Sequence, residues 1–354
     1  MNVQLIDAAT DEHLWAESYD RTLDDAFAIQ SEVAQRIVAA VGAVLASEER
    51  LAMTAAPTAN AEAYRLYLQA RDYRHRPGRT SQAHLAAQRL YEQALRLDPD
   101  FALAHAELSY VHGWEYWLRR DPSAARARLQ LREAEAALRL APGLPQAHVA
   151  MGLAYGWGRR DWRLALREFQ IALRHAPNDA EAWSWYCAAQ RRLGNWSEVF
   201  SAFERATRLS PRDANLIEDL GGGSFRLTHR YAEAARAYDR ALSLAPDYAD
   251  ATFARAYIFI YWKGRLDTLR AELDRVSSED RLWDRLRLAL YERDADSLLR
   301  LVRGSRVAFL QAQNSIEPVS FFAAWAHQLR GDRGAAGASF ESARALLDSL
   351  RQAL

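Results

Sequence analysis

From residue 61 onward, small and apolar side chains recur at helical spacing, and the helices they imply stop at near-regular intervals. Pro99, Pro142, Pro177, Pro211 and Pro246 lie 43, 35, 34 and 35 residues apart. Five residues before each proline stands an alanine: Ala94, Ala137, Ala172, Ala206 and Ala241. Eight before stands Tyr91, Ala134, Phe169, Phe203 or Tyr238, and twelve before stands Ala87, Gln130, Ala165, Val199 or Ala234. Ten after each proline comes Ser109, Gly152, Cys187, Gly221 or Ala256. A period of about 34 residues with these slots predicts stacked pairs of antiparallel helices. Small residues at the crossing let two backbones approach, and the aromatic one turn earlier fills the groove beside them. Proline ends the second helix because it has no N–H and clashes with the preceding turn.

The pattern resembles the tetratricopeptide repeat. Ala180–Pro211 carries Trp183, Tyr186, Gly194, Phe203, Ala206 and Pro211 in that family's slots, and Pro145–Pro177 carries Gly152, Tyr155, Ala165, Phe169, Ala172 and Pro177. The resemblance implies a mainly all-α protein, a right-handed α-solenoid of about eight helical hairpins over residues 61–354. The pattern degenerates at about residues 265–316, where Leu266–Val276 lacks the alanine and aromatic slots and Arg303–Pro318 reads as an irregular connection. It recovers at Gly331, Ala336, Phe340 and Ala343, with Asp348 where a terminal proline would stand. The stripe Ala343, Leu346, Leu347, Leu350 and Leu354 has no polar capping helix after it; it reads either as an uncapped end or as a last helix that covers the end itself.

Residues 1–52 follow another rhythm. Residues 2–20 alternate as a strand hairpin that turns at Ala8–Glu12, and a helix is expected over Asp24–Arg50 with Ile29, Val33, Ile37, Val41 and Val44 on one face. Two strands and a helix are too little for an independent sheet domain. Gln4–Ala8, His13–Glu17, Tyr19–Arg21 and Phe27–Gln30 resemble the end of the TolB-like α/β domain. In bacteria that domain precedes tetratricopeptide repeats and follows a nucleotide cyclase or winged-helix domain. The resemblance implies a partial TolB-like segment, a linker at residues 53–60, and an ancestor longer than this chain.

Lys+Arg and Asp+Glu are both 46, so the formal charge is zero, which argues against nucleic acid or an anionic membrane as the main partner. No apolar run reaches membrane-spanning length and the first residues lack signal-peptide features. The chain as written is expected in the cytoplasm, and in the periplasm if it is the tail of a membrane-anchored protein. Gly221-Gly222-Gly223 has neither a preceding strand nor a following Lys-Ser/Thr, so it does not read as a phosphate loop. The single cysteine, Cys187, fills a packing slot. His105 and His148 share one slot, six residues after a proline, without metal-ligand spacing. No nucleophile has an assignable base. No catalysis, cofactor or metal is therefore expected.

The expected function is protein or peptide binding in a concave groove. The resemblance places the groove at fixed offsets after each proline: Tyr110, Trp114, Trp157, Trp185, Arg191, Arg192, Phe225, Arg226, Phe253, Tyr257 and Tyr261. Aromatic and arginine side chains suit partner anchoring; they equally suit packing between neighbouring helices. The alternative is a sensory tail of a membrane-anchored adenylate or guanylate cyclase, or of a winged-helix regulator, whose effector domain is absent from this chain.

Overall fold

The computed structural model describes residues 2–6, 13–18, 26–40, 56–77, 80–277, 281–312 and 315–353. Strands β1 (Asn2–Ile6) and β2 (His13–Ser18) pair antiparallel, with Val3 opposite Glu17 and Leu5 opposite Trp15. Helix α1 (Ala26–Ala40) follows. This is the expected hairpin and helix; the Ala8–Glu12 turn and residues 41–50 of the expected helix lie outside the described residues.

Helical hairpins then stack in chain order. They are α2 (Ala61–His75) with α3 (Ser81–Leu97), α4 (Ala102–Trp117) with α5 (Ala124–Leu140), and α6 (Pro145–Leu153, extended by a π-helical segment Ala154–Gly158) with α7 (Trp162–His175). Next come α8 (Ala180–Leu193) with α9 (Trp196–Leu209), then α10 with α11 (Tyr231–Leu244). Helix α10 joins Ala214–Leu216, a π segment Ile217–Gly222 and Gly223–Leu227. Helices α12 (Ala249–Lys263) with α13 (Asp267–Leu273), and α14 (Leu282–Tyr291) with α15 (Ala295–Gly304), come next. A strand pair, β3 (Phe309–Ala312) and β4 (Ser315–Pro318), precedes α16 (Val319–Leu329) and α17 (Arg333–Ala353). The result is the expected α-solenoid. Among the described residues no helix is long and apolar enough to cross a membrane.

The slots act as the spacing predicts. All five alanines before the prolines are fully buried. In two hairpins the small residue of the first helix meets the aromatic of its partner: a Cβ added at Gly152 would lie 2.4 Å from Phe169, and one at Gly221 would lie 2.9 Å from Phe203. Where the small residue is polar it donates across the crossing, Ser109 Oγ to the Gln130 carbonyl at 2.9 Å and Cys187 Sγ to the Val199 carbonyl at 3.2 Å. Burial pushes the Cys187 thiol up to about 12, which keeps it protonated and suits that donor role.

Each proline sits second in a turn. The residue before it donates to the slot alanine, as Ala176 N–H does to Ala172 at 2.8 Å, and its carbonyl accepts from the residue two beyond the proline, as Ala176 does from Asp179 at 3.1 Å. Six residues after the proline, His105 Nε2, His148 Nε2 and Trp183 Nε1 reach back to the carbonyls of Pro99, Pro142 and Pro177, each at 2.9 Å. The two histidines also meet Glu133 and Glu168 of the following helix through Nδ1, at 2.6 and 2.8 Å. They are turn locks.

Interval length is legible in the backbone. The two 35-residue intervals each carry a π-helical segment in their first helix, and the 34-residue interval carries none. A π turn accommodates the extra residue without breaking the helix.

The stretch expected to be irregular contains an antiparallel ladder, with Phe309 opposite Pro318 and Leu310 opposite Glu317. Four-residue strands are too short to announce themselves by alternation. Asp348 does not stop its helix as a proline would, and α17 continues to Ala353.

Candidate functional site

The first helices of successive hairpins line one face, and two adjoining cavities open along it. The first, of about 400 Å³, is bounded by α2, α4, α6, α8 and α10. The second, of about 280 Å³, lies beyond Trp185 and Asp219, which line both.

At the first cavity the groove is closed by a buried ion cluster. Arg74, in the last turn of α2, donates through Nη1 and Nη2 to Glu181 of α8 at 2.9 and 3.0 Å. Its Nη2 also donates to Glu107 of α4 at 3.2 Å, and its guanidinium lies 4.5 Å from the centre of the Tyr110 ring. Tyr91 Oη and Trp185 Nε1 donate to Glu107 and Glu181, each at 3.4 Å, and His75 Nε2 lies 2.8 Å from Arg74 Nη2. Burial opposes charge on both glutamates. At Glu181 the charge of Arg74 and its hydrogen bonds overcome that, holding the carboxyl far below the usual range. At Glu107 burial prevails over Arg74 and the pKa is raised. The cluster thus holds the first hairpin against the fourth.

The second cavity is walled by indoles. Trp157 is 2 % exposed and lies 5.5 Å from Trp114, 5.3 Å from Trp185 and 6.2 Å from Trp117, centre to centre. Arg192 lies 5.0 Å from the Trp117 ring centre and 5.6 Å from that of Trp162, and Arg160 lies 4.3 Å from Trp117. Burial, then the charges of Arg191 and Asp219 with opposite effects, leave the Arg192 pKa lowered. Among the described residues Arg192 has no ion-pair partner. Arg191 is neutralised: its guanidinium donates to the Asp219 carbonyl at 2.9 Å and to the Asp219 carboxylate at 3.1 Å. Asp219 belongs to the π segment of α10, so the backbone irregularity presents both acceptors to one arginine.

Of the residues expected in the groove, Tyr110, Trp114, Trp157, Trp185, Arg191 and Arg192 line these cavities. Tyr110, Trp157 and Trp185 are buried against one another as well, so packing and lining coincide there. The other five lie further along the chain and line neither cavity. Phe225 stacks on Phe200 at 5.3 Å beneath Arg230, and half-buried Arg226 bears on Tyr238. Phe253 lies under Arg281, and Tyr257 donates to Asp284 Oδ1 at 3.0 Å. Tyr261 stacks on Tyr257 and remains 45 % exposed.

The offsets miss Arg71 and Arg74 because α2 precedes the first of the spaced prolines. Asp179 and Asp213 are missed too, although each stands two residues after a proline, where a helix N-cap is expected. Among the described residues no group of three or more His, Cys, Asp or Glu is placed to hold a metal ion.

No protein-family model matches the chain. A putative adenylate cyclase 3 of Rhizobium meliloti (strain 1021) is 38% identical over 111 residues, which is 31% of this chain and 19% of that relative. The chain therefore spans about a fifth of the length of that curated relative. The solved human IFIT1 dimer with m7Gppp-AAAA aligns with a TM-score of 0.57 at 12% identity, over 90% of this chain and 77% of that one. That is a likeness of fold. A thermophilic TPR protein of Thermus thermophilus aligns with a TM-score of 0.46 at 17% identity, over 56% of this chain and 99% of that one. The architecture is an α-solenoid of stacked helical hairpins.

Proposed function

We propose that the chain is a non-catalytic scaffold that binds a protein or peptide segment along the face lined by its first helices. The observation that carries this is Arg192, an unpaired guanidinium held over the Trp117 and Trp162 rings at the edge of an open cavity. Trp117 is buried, and it and half-buried Trp162 hold the exposed guanidinium in place, so a partner carboxylate or aromatic side chain would meet a site that needs little ordering. Selection of a displayed random-peptide library against the intact chain tests it. Enriched peptides should bind the wild type and lose at least tenfold affinity for Arg192→Glu, with helicity unchanged. No enrichment, or peptides indifferent to that change, would overturn the reading.

A second reading is supported by the partial identity with a protein named as a putative adenylate cyclase. In that reading the solenoid is the regulatory part of a longer signalling protein, and residues 1–52 are the end of a TolB-like segment. Fusing the chain behind a cyclase domain and adding a selected peptide would test it; cyclase output indifferent to the peptide would count against it.

A further inference from the structure

The first cavity holds charges that the fold has left apart. Arg71 stands on the α2 wall, exposed at its edge, and has no ion-pair or hydrogen-bond partner among the described residues; its ring neighbour Tyr67 is 5.8 Å away. Asp179 and Asp213 line the same cavity from other helices, as the N-caps of α8 and α10. Asp179 Oδ1 accepts from the backbone N–H groups of Glu181 and Ala182 at 2.8 and 3.0 Å, and Asp213 Oδ1 accepts from that of Leu216 at 3.0 Å. Each Oδ2 has no partner among the described residues. Burial raises the Asp179 pKa, and the charge of Arg71 works against that without forming an ion pair. One turn further along α2, Arg74 does cross and reaches Glu181. The walls therefore meet at Arg74 and stand apart at Arg71, with the cavity between.

We propose that this cavity binds a zwitterion of amino-acid to dipeptide size, its carboxylate on Arg71 and its ammonium on Asp179 and Asp213. The inference goes beyond the groove reading, since such a ligand needs no protein partner. A purely anionic ligand would satisfy Arg71 and meet the carboxylates; a purely cationic one would do the reverse. Only a ligand with both charges completes both walls, through charge-assisted hydrogen bonds in a partly desolvated space. Gln146 and Ser210 on the lining supply neutral groups for an amide. The volume of about 400 Å³ falls low in the ~300–1,000 Å³ range of small-molecule pockets.

The test uses the intact chain and isothermal titration with the twenty free α-amino acids and Ala-Ala. The tightest binder is then compared with its N-acetylated and its C-amidated form. Blocking either end should cost at least tenfold in affinity. Arg71→Gln should weaken the free ligand at least tenfold and leave the amidated form unchanged. Asp179→Asn with Asp213→Asn should weaken the free ligand and leave the acetylated form unchanged; asparagine still caps a helix, so the fold should persist. No saturable binding into the millimolar range by any of these ligands overturns the proposal. Blocked forms that bind as well as the free one do the same. Neither result touches the peptide groove, which Arg192→Glu reads separately.

Discussion

Between Ala61 and Lys263, second helices from α3 to α11 end in proline turns; beyond Lys263, α13 and α15 do not. The difference reaches the core. In the first region one continuous apolar cluster runs from Ala63 to Ile258, with a smaller one beside it around Ala134 and Met151. Beyond it the core divides, one cluster joining α12 to α14 and another joining α14 to α16. The ion pairs differ as well. Arg74 and Glu107 are buried and belong to a bridge between hairpins far apart in sequence, whereas Arg270–Glu292 and Arg330–Asp296 lie in water. Regular punctuation places small residues at every crossing, and small residues at every crossing make the core continuous. Where the punctuation fails, each hairpin packs on its neighbour alone.

The largest expected effect separates the two kinds of ion pair. Arg74→Ala leaves the buried Glu107 carboxylate facing the half-buried Glu181 and should cost about 3–5 kcal/mol, read by urea unfolding. Arg270→Ala in the second region should cost less than about 1 kcal/mol. The pH dependence has a defined sign. Glu181 is held below its unfolded pKa, so its contribution is present above that unfolded value and is lost as pH falls through the folded one. Arg74→Ala should flatten this acid-side loss. Equal costs for the two arginines would mean that the bridge from α2 to α8 contributes nothing.

Core truncation asks whether the regions open separately. Leu153 in α6 and Leu298 in α15 are both fully buried, and replacing either by alanine should cost about 2–5 kcal/mol locally. The patterns of amide exchange should differ. Leu153→Ala should lower protection from α2 to α12, because its cluster is continuous over that span. Leu298→Ala should lower protection in α14–α16 and leave α8 unchanged. Equal loss at α8 in both variants would show one cooperative unit and erase the distinction.

What the sequence disclosed follows the same divide. The slot residues are a local signal, and Ala94 through Ala241 all occupy the crossings their spacing implies. The extra residue of the 35-residue intervals was visible as a number, but its absorption into π turns at Trp157 and Asp219 depends on packing against the partner helix. Arg74 and Glu181 are 107 residues apart and meet only because successive hairpins rotate, which no local pattern encodes. In the second region Asp348 replaces a stop signal with a residue the helix tolerates, so the boundary there was not written in the chain.

The smallest effect tests whether the indole wall stabilises the first region. Arg160 and Arg293 both adopt the left-handed backbone conformation, each with φ 58°. Glycine relieves that conformation of a side-chain clash worth about 1 kcal/mol. Arg293 has no ring beneath it among the described residues, so Arg293→Gly should raise stability by about that amount. Arg160 lies over Trp117 at 4.3 Å, a contact worth about 0.5–2 kcal/mol where partly desolvated. Its loss should offset the relief, and Arg160→Gly should leave the melting temperature almost unchanged. An equal rise in both variants would show that guanidinium contact with Trp117 adds no stability, and the same reasoning applied to Arg192 would then fail with it.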